Sequence, residues 1–181
     1  MTVRRIKREV LYEGRVIDLV VDEVEYPSGK RGIREIARHP GGAVALPLFD
    51  DGTVMLVEQH RYPLEARILE LPAGKLSPGE DPLACARREL EEETGWRANR
   101  WEKLGSIFTS PGFCDEELHL FLATGLEELE GGPDRSEGEE GMSLFLLPLD
   151  DVAARIERGE LRDAKTVCAI LLMQNRMRER E

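Results

Sequence analysis

The sequence predicts an α+β sandwich preceded by an antiparallel β-hairpin region, and three observations predict it. Short β-branched runs punctuated by Gly, Pro and Asp outnumber the helical stretches. Those runs do not alternate with helices as in a βαβ chain. One strongly capped helix interrupts the strands near the middle of the chain. A length of 181 residues with 41% hydrophobic content suffices for one domain with a real core and a short N-terminal appendage. The expected division is a hairpin region over residues 1–40 and a main domain over residues 41–181.

Taken in order, Val16 to Tyr26 (VIDLVVDEVEY) is β-branched and partly alternating, Pro27-Ser28-Gly29-Lys30 is a turn, and Gly32 to Arg38 is the return strand. Ala43 to Phe49 and Thr53 to Gln59 are apolar runs around Asp50-Asp51-Gly52, which predicts a second hairpin. Ile68 to Leu71 is a short strand entering Pro72-Ala73-Gly74. The clearest helix follows. Asp81 is a good N-cap, and Pro82 stands at the first helical position, where its missing N–H costs nothing. Leu83, Ala86 and Leu90 repeat at helical spacing, and Gly95 stops the helix. Leu104 to Thr109, Glu117 to Ala123 and Ser143 to Leu147 read as strands, with an acidic, glycine-rich loop from Gly125 to Gly141. Leu149 to Arg158 and Ala164 to Arg178 read as helices, the second capped by Asp163.

Composition excludes some functions. A formal charge of -11 argues against binding nucleic acid or an anionic membrane, because both need a surplus of Lys and Arg. A small phosphorylated substrate remains compatible if it arrives with a divalent cation or meets local arginines. Cys85, Cys114 and Cys168 are far apart and form no C-x-x-C pair, which suits reduced intracellular thiols. His39, His60 and His119 are equally scattered. No apolar run follows the basic N-terminus or approaches membrane-spanning length, so a cytoplasmic protein is expected.

The chemistry concentrates between Gly74 and Trp96 (GKLSPGEDPLACARRELEEETGW). On the predicted helix Glu89, Glu92 and Glu93 fall at i, i+3 and i+4, so their carboxylates crowd one face while Glu91 diverges. An isolated E-L-E-E-E is usually a solvated face. Like charges so close destabilise a helix unless a cation compensates, and Arg87 and Arg88 can pair only with individual members. A hard divalent ion such as Mg²⁺ would resolve the repulsion and serve phosphoryl chemistry.

Gly74, Glu80, Arg88, Glu89, Leu90, Glu92, Glu93, Gly95 and Trp96 fill every defined position of G-x5-E-x7-R-E-U-x-E-E-x-G-U, where U is bulky and apolar. The chain therefore resembles the Nudix hydrolase family, in outline from about residue 10 onward. The resemblance implies an α/β/α sandwich with a mixed β-sheet and hydrolysis of a nucleoside diphosphate linked to a further moiety. It also implies Mg²⁺, with Mn²⁺ as the alternative ion, held by Glu89, Glu92, Glu93 and the Ala73 carbonyl. Glu80 and Arg88 would hold the loop–helix–loop in shape. Gly74 and Gly95 would serve backbone conformations that a side chain hinders.

The moiety is suggested outside that box. Pro111 stands fifteen residues after Trp96, and Val57-Glu58-Gln59-His60-Arg61-Tyr62 and Glu70-Leu71-Pro72-Ala73-Gly74 are similar to segments of the family's ADP-ribose pyrophosphatase branch. His60 departs from the usual residue there and is assigned no role. By this resemblance Arg34, Glu35 and Arg61 bind substrate, since arginine offers a planar donor fork to a diphosphate. Ser110 and Glu116 are further candidates for contacts to the terminal ribose. A glutamate on the late loop would act on the attacking water; among Glu137, Glu139 and Glu140, Glu140 fits best by its distance to the following strand.

The resemblance implies cleavage of ADP-ribose to AMP and ribose 5-phosphate by a homodimer, since the N-terminal hairpin is too small to fold alone and pairs across a dimer in the members it resembles. FAD, a nucleotide sugar and NADH are alternative substrates, NADH disfavoured because the zinc ribbon of such members is absent. A non-catalytic ADP-ribose sensor is the alternative from another class, and the intact carboxylates discriminate against it.

Overall fold

The computed structural model describes residues 2–135 and 141–179. The chain divides into two units, Met1–Gly41 with Phe108–Glu117, and Gly42–Ile107 with Leu118–Glu181.

The first unit is built on three antiparallel strands in the order β1 (Arg4–Glu13), β2 (Asp18–Glu25), β3 (Arg31–Arg38). β2 and β3 form the hairpin expected from the sequence, and β1 adds a strand that its composition did not signal. Its irregular register against β2 is held by charge: Arg8 donates from Nε and Nη2 to the buried carboxylate of Asp22, both at 2.7 Å. The segment Phe108–Glu117 joins β3 through Ala37 N–H donating to Phe113 O at 2.8 Å and His39 N–H donating to Asp115 Oδ1 at 2.8 Å.

The second unit stacks two sheets. A mixed sheet orders β7 (Ala73–Lys75), β4 (Gly42–Pro47), β9 (Glu117–Glu128) and β8 (Trp96–Phe108), with β4 antiparallel to β7 and parallel to β9. An antiparallel sheet orders β10 (Ser143–Pro148), β5 (Thr53–Arg61) and β6 (Ala66–Glu70). The predicted hairpin of β4 with β5 is therefore corrected. The turn exists, with Phe49 N–H donating to Thr53 O at 2.9 Å, but one isolated bridge, Leu48 with Val54, is all that links the two strands before they part. The reason is that neither strand has a polar face. β4 is buried at every position, so each run becomes the centre of its own sheet, and stacking buries what a hairpin would leave wet.

Helices α1 (Pro82–Thr94), α2 (Leu149–Glu157) and α3 (Ala164–Arg178) complete the unit. One face of the mixed sheet sets Ala43, Ala45, Phe121 and Ala123 against Cys85, Ala86 and Leu90 of α1. The other face sets Val44, Leu46, Leu120 and Leu122 against Val54 and Leu56 of β5 and Val152, Ala169, Ile170 and Met173 of α2 and α3. Among the described residues no helix is long and apolar enough to cross a membrane.

Candidate active site

Local signals fix α1. Asp81 caps it by accepting from Leu83 N at 3.0 Å and Ala84 N at 3.1 Å, and Gly95 closes it in the left-handed region at φ 75°. Cys85, Ala86 and Leu90 are fully buried, and Leu90 alone contributes about 2 kcal/mol of burial. That outweighs the few tenths of a kcal/mol by which each like-charged i, i+4 pair opposes a helix. With this face anchored, Glu89 and Glu93 are carried inward, at 7% and 2% exposure, while Glu91 is exposed and Glu92 half-buried.

The glutamates meet β7. A Cβ built on Gly74 would lie 1.9 Å from the Glu89 carboxyl carbon, so this glycine clears space for a carboxylate. A side chain is hindered at Gly74, as expected, by this close approach and not by its φ, which is outside the left-handed region that Gly95 occupies. Glu93 Oε2 accepts from Ala73 N at 3.1 Å. Ala45 N donates to Pro72 O at 2.9 Å, and in the register of β4 with β7 this puts Ala73 at the alternate, non-hydrogen-bonded position. Its N–H and C=O are thus both turned away from β4, on an edge strand.

Arg88 sits at the centre of the carboxylates. It donates from Nε to Glu80 Oε1 at 3.0 Å and from Nη1 to Glu89 Oε1 at 2.6 Å and Glu92 Oε2 at 3.0 Å. One guanidinium thereby serves three acids, whereas the sequence suggested individual pairs. Arg87 instead lies over the Trp101 ring at 6.0 Å. The Arg88 hydrogen bonds, assisted by Ser77 N–H, hold the Glu80 carboxyl below its ordinary value, and Glu80 in turn raises Arg88. Burial pushes the Cys85 thiol up to about 12, with Glu80 and Glu89 adding to it, so Cys85 is a packing residue.

Arg61, at the end of β5, donates from Nε and Nη2 to the two oxygens of Glu70, both at 2.8 Å. Glu70 raises Arg61 most, and Glu93 contributes to the same field. Glu70 is 1% exposed and also accepts from Lys165 Nζ. Arg135 donates from Nε to Glu93 O at 2.8 Å and from Nη1 to Met142 O at 2.7 Å, tying the C-terminal end of α1 to both flanks of residues 136–140. Sequence reasoning missed the roles of Glu70, Lys165 and Arg135. A glutamate between Leu69 and Leu71 was the available signal for the first.

Four other sequence-predicted residues, Arg34, Glu35, Ser110 and Glu116, lie in the first unit. Arg34 Nη2 donates to Tyr26 Oη at 2.5 Å and its guanidinium lies 5.5 Å from that ring's centre. Glu35 is exposed on β3. Ser110 O accepts from Phe113 N and Cys114 N, and Glu116 Oε2 accepts from Thr109 Oγ1 at 2.7 Å. Glu140 falls outside the described residues, with Glu137 and Glu139. His60 is exposed.

Among the described residues no three His, Cys, Asp or Glu side chains already converge as a metal-binding group. The oxygens nonetheless suit a hard cation: two nearly buried carboxylates, a third within reach on the same helix, and a backbone carbonyl released from its ladder. Arg88 engages two of those carboxylates, which keeps them together without a further ion.

Residues 38–170 match the family model of the NUDIX domain. The chain is 44% identical over 171 residues to the ADP-ribose pyrophosphatase of Bacillus subtilis (strain 168), covering 94% of this chain and 92% of that protein. Identity and coverage are the same, 44%, 94% and 92%, for the methanol dehydrogenase activator of Bacillus methanolicus. The crystal structure of an ADP compounds hydrolase shares the fold, with a TM-score of 0.86 over 99% of this chain and 96% of that one, at 19% identity.

Proposed function

The chain belongs to the NUDIX family and is a Nudix hydrolase, and from that premise we propose that it cleaves the diphosphate bridge of ADP-ribose to AMP and ribose 5-phosphate. One observation carries the site: Glu89 and Glu93, nearly buried on one face of α1, stand against Gly74 and against Ala73, whose carbonyl is turned off its ladder. The substrate reading is supported by the similarity to the Bacillus subtilis protein.

Glu89, Glu93, Glu92 and the Ala73 carbonyl are the groups that would hold Mg²⁺ or Mn²⁺. Such an ion, when bound, neutralises diphosphate charge and lowers the pKa of attacking water. Arg88 keeps Glu89 and Glu92 oriented, and Arg135 fixes the end of the helix that carries Glu93. Glu140 is our assignment for accepting the proton of the attacking water. Arg61 Nη1, Arg34 and Glu35 are assigned to the nucleoside diphosphate, and Ser110 and Glu116 to the terminal ribose. The exposed apolar side chains Val10, Leu11, Tyr12, Val16 and Ile33 of the first unit support a homodimer formed through its sheet. The free thiols Cys85, Cys114 and Cys168 suit the reducing cytoplasm.

The test is a substrate panel of ADP-ribose, FAD, NADH, GDP-mannose and diadenosine polyphosphates with Mg²⁺, products resolved by chromatography. AMP and ribose 5-phosphate from ADP-ribose at the highest kcat/KM is the expected outcome; preference for FAD or GDP-mannose selects those substrates instead. Likeness to the methanol dehydrogenase activator favours a second reading, action on a partner dehydrogenase. Its test is whether the wild-type protein, and not Glu93→Gln, raises a methanol dehydrogenase's rate. A monomer by light scattering at micromolar concentration would reject the dimer.

A further inference from the structure

α3 begins beside Glu70, at the end of β6 and three residues before the candidate ligand Ala73, and its first turn is polar where its surroundings are apolar. Asp163 caps it, Lys165 is 8% exposed and Thr166 is fully buried, next to the core that contains Leu71, Ala169 and Ile170. Lys165 Nζ donates to Glu70 Oε2 and lies 3.0 Å from Asp163 Oδ1. Thr166 Oγ1 accepts from Leu71 N at 2.8 Å and donates to Asp163 Oδ2 at 2.6 Å. Buried ion pairs contribute little net stability compared with apolar residues of similar volume, so stability alone does not account for Glu70, Arg61 and Lys165 gathering here.

What the cluster does account for is position. Glu70 is fixed through its side chain by Arg61 and Lys165, Leu71 through its N–H by Thr166, and Pro72 through its carbonyl by Ala45 N. The next residue, Ala73, gives its N–H to Glu93 and turns its carbonyl off the ladder. Three consecutive residues are thus immobilised from three directions immediately before the residue that joins the strand to a candidate ligand.

We infer that the first turn of α3, through Lys165 on Glu70 and Thr166 on Leu71, is a positioning device that holds the Ala73 carbonyl and the Glu93 carboxylate at the spacing a divalent cation requires. Lys165 and Thr166 touch neither substrate nor cation; they act through residues 70–73. The inference rests on the proposed metal-dependent hydrolysis.

The test measures Mn²⁺ binding to the full chain by electron paramagnetic resonance without nucleotide, beside ADP-ribose hydrolysis over a Mg²⁺ titration. Thr166→Val removes the acceptor for Leu71 N at nearly constant volume, Thr166→Ser retains it, and Lys165→Met removes the cation from Glu70. Thr166→Val and Lys165→Met are expected to weaken Mn²⁺ binding about 10-fold and to raise the Mg²⁺ needed for half-maximal rate by a similar factor, as loss of an outer-shell partner does. KM for ADP-ribose at saturating Mg²⁺ should stay within about 2-fold in Thr166→Val, because the lost hydroxyl holds Leu71 and not the Glu70–Arg61 pair. Thr166→Ser should match wild type, which a general loss of packing would not allow. Should Lys165→Met not fold, the Thr166 pair decides alone. Wild-type Mn²⁺ affinity in folded Thr166→Val overturns the positioning role and leaves the hydrolase reading intact. Wild-type protein that binds Mn²⁺ but cleaves no ADP-ribose overturns the substrate reading, and the variants' Mn²⁺ affinities still decide the positioning role.

Discussion

The carboxylate of Glu89 lies where any side chain on residue 74 would have to go: a Cβ on Gly74 falls 1.9 Å from both its Cδ and its Oε1. The two residues are on different elements, β7 and α1, and the packing of Cys85, Ala86 and Leu90 fixes how closely those elements approach. The glycine is therefore a spatial requirement of the site.

Gly74→Ala should displace the Glu89 carboxylate by about 1 Å or more, and misplacement on that scale costs on the order of 100-fold in kcat. The displaced group is the end of a side chain, so the melting temperature should change little. Activity and thermal unfolding of the same preparation check both halves, and a wild-type rate would show that the Glu89 position is not used.

Glu93→Gln keeps the volume, and its amide oxygen can still accept from Ala73 N–H, so the substitution isolates charge. We expect at least a roughly 100-fold loss of turnover at saturating Mg²⁺ with an unchanged circular dichroism spectrum, since losing even a supporting group at a metal site costs 10–100-fold. Turnover within a few-fold of wild type would remove Glu93 from the reaction.

What could be foreseen here divides by physical range. Asp81, Pro82 and Gly95 act within a turn of themselves, and α1 has the bounds they mark; Asp163 does the same for α3. The inward turn of Glu89 and Glu93, four residues apart, follows from helical periodicity and was equally legible, whereas their convergence with Glu92 on one point is not found among the described residues. The parting of β4 and β5 was not, because Asp50-Asp51-Gly52 specifies a turn but says nothing of what covers the far face of each strand. β1 was hidden because it lacks apolar alternation: Arg4 and Arg8 face the charges Glu25 and Asp22, and its apolar pairs, Val10 with Val20 and Tyr12 with Leu19, come only at its end. Glu70 stood in plain view in Glu70-Leu71-Pro72, yet its partner Lys165 is 95 residues away, a distance over which sequence pattern carries no pairing information.

The Glu80–Arg88 pair makes a pH prediction. Arg88 depresses the Glu80 carboxyl in the folded protein below the 4.5 of the unfolded chain. The unfolded state therefore takes up the proton first as pH falls, and the pair's contribution is present above that value and lost as pH drops through the depressed folded one. Wild type should be more stable than Glu80→Gln in urea at about pH 7, and the gap should narrow as pH falls below the 4.5 of the unfolded chain. A gap independent of pH would mean that the pair is not ionic.

Gly95 should be sensitive for two reasons that can be separated. Its φ of 75° is one that L side chains rarely adopt, and a Cβ there would lie 2.8 Å from Gly132 C and Pro133 N, backbone atoms that cannot swing aside. The conformation costs about 1–2 kcal/mol in alanine, and the overlap adds about 1–3 kcal/mol. Gly132 supplies the control, since it has φ 71° and a Cβ added to it would meet nothing within 4 Å. Gly132→Ala should lose only the conformational part and Gly95→Ala both, measured as unfolding free energies in denaturant. Any shift of residues 132 and 133 also moves Arg135, which holds Glu93 O, so Gly95→Ala should lower turnover as well, while Gly132→Ala lowers stability with turnover nearly intact. Equal stabilities for the two variants would show that the helix end and the 132–133 segment are not in the contact described.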